Sequence, residues 1–180
     1  MMTHMMTQRL SRILFLTSFF LIGIWSIGVT PQVVAETLSY KFFFPVTQRE
    51  MIPIGDVDGH GVGFMVRQGA VFLENGEMAW GKAVVLFDMI KGVGPFDQYS
   101  TLTFQDGSTI ITRTKGTAEA TPTGVSTAAQ WTGEIIKGTG RFEGIKGTGT
   151  STAKMLPPEK GELGGKSLGE GTLTYTLPKK

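Results

Sequence analysis

The chain has 180 residues, no cysteine and a formal net charge of +2. Setting aside Arg9 and Arg12, basic and acidic residues balance, which excludes the broad cationic face that a nucleic-acid binder needs. Without thiols, disulfides and cysteine-ligated metals are excluded too, so an exported form must rest on its own core and backbone hydrogen bonds.

Arg9 and Arg12 precede "ILFLTSFFLIGIWSIGV", an uncharged run from Ile13 to Val29. A short breaker follows, Thr30-Pro31-Gln32, and then Val33-Val34-Ala35 before Glu36. A positive region, an apolar run and small residues before the cut make a secretory signal over 1–35, cleaved between Ala35 and Glu36. The run is also close to the minimum length of a membrane span, so an uncleaved N-terminal anchor is the alternative. Residues 36–180 make one domain's worth of chain, long enough for a real core.

No later segment carries a sustained helical stripe. Short runs rich in β-branched and aromatic residues alternate with turn signals. Strands are predicted at Thr37–Pro45, stopping at the proline, then at Gly59–Gln68 and Gly69–Glu74. A long one follows at Glu77–Ile90, then Asp97–Phe104, Ser108–Ala120, Val125–Ile136, Gly147–Met155 and Gly171–Pro178. Asn75-Gly76 and Asp106-Gly107 mark two-residue hairpins, because these residues tolerate the positive φ such turns require. The polar, glycine-rich stretch from Pro157 to Gly171 reads as a surface loop. About eight strands at meander spacing predict an all-β fold, an antiparallel barrel or sandwich.

Two glycine-rich stretches imitate nucleotide motifs. "GTGRFEG", Gly138–Gly144, has G-x-G-x-x-x-G spacing, and the residues after it cannot build the helix that a pyrophosphate site requires. "GELGGKS", Gly161–Ser167, has Lys160 where a P-loop needs its first glycine. The expectation is a barrel corner in the first case, with one turn of helix around Arg141–Gly144 and with Phe142 and Ile145 plugging the core, and no nucleotide at either. "GDVDGHG", Gly55–Gly61, offers two aspartates but not the spacing of a calcium loop. His60 is the single histidine after Ala35, too few for a zinc site of several His or Cys ligands, and no G-x-S-x-G elbow accompanies it. No metal and no cofactor are expected, and catalytic residues are unassigned.

"IIKGTGRFEGIKGTG", Ile135–Gly149, resembles the signature of the allene oxide cyclase and dirigent barrel superfamily, with Lys137 where a glycine is usual. Gly55-Asp56 and "GHGVGFMVRQGAVF", Gly59–Phe72, fit the early strands of that barrel. The resemblance implies an eight-stranded antiparallel β-barrel, calycin-like, with an apolar lumen and often assembled as a trimer. It implies an uncharacterised bacterial exported member. Some relatives cyclise unstable fatty-acid epoxides, and others steer the coupling of bound radicals. The cyclases use a carboxylate from the first-strand region, and "LSYKFFFP" here has none.

Alternation assigns faces. Leu38, Tyr40, Phe42 and Phe44 share one side of the first strand, and Leu173, Tyr175 and Leu177 one side of the last. These strands meet if the barrel closes, giving an aromatic interior. Ile110, Thr112 and Thr114 should face inward, and Arg113 and Lys115 should face water. In Glu77–Ile90 both faces are apolar over "AVVLF", so one face should be covered by a second subunit. Asp88 lies in that run. It is either paired, with Lys82 on the same face, or a lumen carboxylate. The candidate ligand-binding residues are thus Tyr40, Phe42, Asp88 and Tyr175. The expected function is an exported barrel that holds a small hydrophobic molecule, lipid- or terpenoid-like. The alternative is an isomerase or cyclase of the allene oxide cyclase type.

Overall fold

The computed structural model describes residues 34–120 and 127–179. The expected export signal therefore falls almost entirely outside the described residues. Eight strands follow in order: β1 Glu36–Pro53, β2 His60–Leu73, β3 Met78–Ile90, β4 Gly94–Phe104, β5 Thr109–Ala120, β6 Thr127–Thr139, β7 Lys146–Leu156 and β8 Lys166–Thr176. A single 3-10 turn, Gly140–Phe142, sits between β6 and β7. Every strand pairs antiparallel with its chain neighbours, and β1 pairs with β8, so the sheet closes into a barrel. The all-β, eight-stranded antiparallel barrel expected from the alternation is the fold.

Both hairpins form where their signals stand, but with three-residue loops in place of the expected two-residue turns, and only Gly76 and Gly107 take positive φ. The Leu73 amide donates to Glu77 across Asn75-Gly76, and the Phe104 amide donates to Ser108 across Asp106-Gly107. Three further expectations need correction. β1 does not stop at Pro45 but runs on to Pro53. Pro45 is tolerated because it lies opposite Lys166, at the end of the β1–β8 ladder, where a missing amide disrupts least. A bulge between Val46 and Gln48 then resets the register with β2. The two segments 59–68 and 69–74 form one strand, β2. The loop expected from Pro157 to Gly171 ends at Gly165, because β8 begins at Lys166. Glycines mislead there for a physical reason. A Cβ at Gly169 would collide with the Thr152 carbonyl and the Phe42 ring, so these glycines serve close packing inside a strand.

The interior is one apolar cluster in which Ile110, Leu173, Val71 and Val85 are the largest side chains fully removed from water. Faces follow the period-two reading: Phe42 and Phe44 point in, as do Thr112, Thr114, Leu173 and Tyr175, while Arg113 and Lys115 are exposed.

Candidate functional site

The two ends of the barrel differ. At the end formed by the start of β1 and the β6–β7 corner, Phe142 and Ile145 fold inward and are buried. The Phe142 ring meets Phe104 at 4.8 Å between centroids and Tyr175 edge-on at 6.4 Å. This is the plug expected from "GTGRFEG". The corner is a three-residue turn followed by a strand, and no helix starts there. Tyr175 belongs to this plug. Its hydroxyl donates to Glu36 Oε2 at 2.9 Å, and burial, with the neighbouring Glu36 carboxylate, pushes the phenol up to about 12.

The waist is filled by aromatic rings. Phe42 contacts Phe44 at 5.0 Å and Trp131 at 5.8 Å, and Trp131 meets Phe96 at 6.0 Å. Only a slit of 40 Å³ remains, lined by Tyr40, Phe42, Gln98, Trp131 and Leu173 among others. Its polar side is internally bonded. The Tyr40 and Ser151 hydroxyls lie 2.8 Å apart, and the Gln98 amide donates to Ser100 Oγ at 2.8 Å. Burial raises the Tyr40 phenol above its ordinary value, against the opposing effect of the Ser151 hydrogen bond.

Among the described residues, the other end is open. Between the β3–β4 turn and the β7–β8 loop lies a mouth of 350 Å³, lined by Val46, Met65, Val85, Met89, Phe96 and Met155 together with two arginines. This is within the size range of small-molecule sites. Arg67 lines both the mouth and the slit, so it stands at their junction. Arg49 lies opposite Met65 in the β1–β2 register and faces Phe87 at 6.0 Å from the ring centroid.

The four sequence candidates thus separate. Tyr40 and Phe42 line the slit, and Tyr175 sits in the plug. Asp88 is on the outer surface, with a side chain 62 % exposed, so it is not a lumen carboxylate. It shares the outer face with Lys82, as alternation requires, but its partner is His60, whose Nε2 lies 2.8 Å from Asp88 Oδ1. The other ring nitrogen, Nδ1, lies 2.6 Å from Asp56 Oδ1. The hydrogen bonds to Asp88 and then Asp56 hold His60 above its ordinary pKa. The aspartates of "GDVDGHG" are thereby placed: Asp56 on His60, and Asp58 on Lys91 at 2.9 Å. Among the described residues, no group of three or more His, Cys, Asp or Glu is placed to hold a metal.

The residue that sequence reasoning missed is Arg67. It could have been found: Val71 and Leu73 face inward, and the same period along "MVRQGAVFL" turns Met65 and Arg67 inward with them.

No protein-family model matches the chain, and no curated protein does. Solved structures do. The pterocarpan synthase dirigent protein PsPTS1 is similar at a TM-score of 0.50 and 16% identity, over 83% of this chain and 99% of that one. GePTS1, another pterocarpan synthase dirigent protein, gives 0.49 and 16% over 82% and 93%. At such identity the likeness concerns the fold, and the fold of this chain is that of a dirigent-like barrel.

Proposed function

We propose that the barrel binds a small hydrophobic molecule, lipid- or terpenoid-like, through its open mouth. One observation carries this reading: the Phe142 plug seals one end, while the other opens on 350 Å³ of mostly apolar lining. An apolar mouth floored by the aromatic waist removes much of a small molecule's surface from water. Nile red, a neutral dye, should gain fluorescence when titrated with the protein, and Ala118→Trp at the mouth should weaken that gain. No gain with the parent chain would end the proposal.

A second reading is an isomerase or cyclase acting on the bound molecule. The buried Tyr40–Ser151 hydroxyl pair beside the slit favours it, as does the naming of the similar barrels as synthases. Catalysis would come from shape and water exclusion with few polar groups. The related expectations on export and assembly are proposals of the same kind. The chain is exported after cleavage at Ala35–Glu36, and it forms a homo-oligomer, a trimer by resemblance to the allene oxide cyclase and dirigent barrels. What supports assembly is the outer face of β1 to β4, where Phe43, Trp80 (56 % exposed), Leu86 and Tyr99 lie open. Light scattering should give a multiple of the monomer mass, reduced by Trp80→Lys with Leu86→Lys. A monomeric parent would refute this.

A further inference from the structure

Arg67 is 9 % exposed, and among the described residues its guanidinium has no oxygen partner. Nη2 donates to Met65 Sδ at 3.0 Å and Nη1 to Met155 Sδ at 3.6 Å. Thioethers are weak acceptors. The third nitrogen, Nε, is buried and has no hydrogen-bond partner among the described residues.

The charge is equally unanswered. No acidic residue lines the mouth or the slit. Residues 1–33 and 121–126, outside the described ones, contain no Asp or Glu. The charged group that acts on it is of the same sign. Burial, and after it Arg49, push the Arg67 guanidinium down to about 10. At neutral pH the group remains a cation. It cannot escape desolvation by losing its proton, as a buried lysine can.

A buried, half-satisfied cation is unfavourable in the empty protein. Replacing it with a hydrocarbon of similar volume would relieve that strain. Its position therefore makes chemical sense if something else brings the missing acceptors. The surroundings define that partner. The planar guanidinium fork matches a carboxylate with two parallel hydrogen bonds. A second guanidinium, Arg49, exposed to solvent, lines the same mouth. Lys91 also lines the mouth, paired with Asp58, and the remaining side chains, from Val85 and Phe96 to Met89 and Met155, offer apolar contact and flexible thioether chains that adapt to shape.

We propose that the mouth takes an apolar molecule bearing one carboxylate, with its oxygens on Arg67 and Arg49 and its apolar body against Val85, Phe96, Met89 and Met155. This rests on the reading of the barrel as a binding protein and adds the charge of its ligand. Arg67 then acts as the selector between acids and their neutral analogues, because an anion answers the buried charge as well as offering stronger acceptors than the two thioethers.

The test compares decanoate, decanol and decyl phosphate by calorimetric titration into the full chain and into Arg67→Met. Decanoate should bind the parent roughly tenfold or more tightly than decanol, as a charge-assisted pair against a buried cation implies. Arg67→Met should erase that preference and leave decanol binding in place. Methionine fits the apolar surroundings, so the variant should melt no lower than the parent. Equal binding of decanoate and decanol overturns the inference while the binding-protein reading stands. Binding of none of the three overturns both. Tighter binding of decyl phosphate than decanoate overturns the choice of carboxylate. A preference that survives in Arg67→Met overturns the role of Arg67. Should that variant fail to fold, the parent's ranking of the three probes still decides.

Discussion

Gly140→Ala offers a sharp test of the corner that plugs the barrel. Gly140 has φ +62°, and a Cβ there would run into Ser108 Oγ, which is held in place. That hydroxyl donates to Asp106 Oδ2 at 3.0 Å and accepts the Arg141 amide at 3.1 Å. The left-handed backbone alone costs an alanine about 1 kcal/mol. Displacing Ser108 adds about 0.5–1.5 kcal/mol for each of the two hydrogen bonds. The sum is about 2–4 kcal/mol, or a fall of about 5–15 °C in melting temperature for a domain of this size. Gly76 is the internal control. It has φ +84° and open space where a Cβ would go, so Gly76→Ala should lose only about 1 kcal/mol. Both are measured by urea unfolding, with a constant slope confirming a two-state comparison. In a Ser108→Ala background the excess at Gly140 should shrink, since the hydroxyl is gone. If Gly140→Ala proves no more harmful than Gly76→Ala, the corner is not held as described.

Phe142→Ala should cost about 3–5 kcal/mol, and a spectrophotometric titration should show the Tyr175 phenol falling from about 12 as water reaches it; an unmoved phenol would contradict the plug. His60 carries a folded pKa above its ordinary 6.5, so its contribution to stability is complete below that pH and fades as pH rises through the folded value. Asp56 has the opposite sign: the hydrogen bond from His60 lowers its pKa, so its contribution is present above its ordinary 3.8 and disappears as pH falls through the lowered value. The parent's melting temperature should therefore decline as pH rises above 6.5, and His60→Gln should flatten that decline; parallel curves would remove the clasp from consideration. Intact mass of the protein recovered from its host should begin at Glu36, whereas a full-length chain in the membrane fraction would favour the anchor.

The strands were legible because alternation survives closure. Every second residue of β5, from Ile110 to Thr114, lands inside as its period requires. The corner was legible too, since Phe142 and Ile145 are isolated apolar residues among glycines, and such residues need somewhere to go. Depth along the tube was not legible. Tyr40 and Tyr175 share an inward phase, yet one reaches the slit and the other the plug, and only strand register separates them. Asp88 shows a related limit. Alternation grouped it with Lys82 but gave no sign of which side was inside, because Val84 and Val85 are apolar on both faces. Its partner His60 lies across the β2–β3 hairpin, in a register no local pattern reveals. Arg67 was hidden by the division of β2 into two segments at Gly69, which broke the phase that points it inward.

The order of the strands has a consequence for how the chain can be cut and rejoined. Seven of the eight ladders join neighbours in sequence, and only the seam between β1 and β8 joins the two ends. That seam places Glu36 opposite Tyr175, so residues distant along the chain lie side by side at the plugged end. A short linker there would turn the seam into one more hairpin, and new termini could be opened at Asn75-Gly76 or Asp106-Gly107, exposed turns outside any ladder. Zipping of hairpins can proceed locally in either chain, while closing the last ladder must wait for the whole sheet. Moving the opening moves that late step to a different pair of strands. The slowest phase of refolding should then report on β2–β3 or β4–β5 in place of β1–β8, with the same barrel at the end.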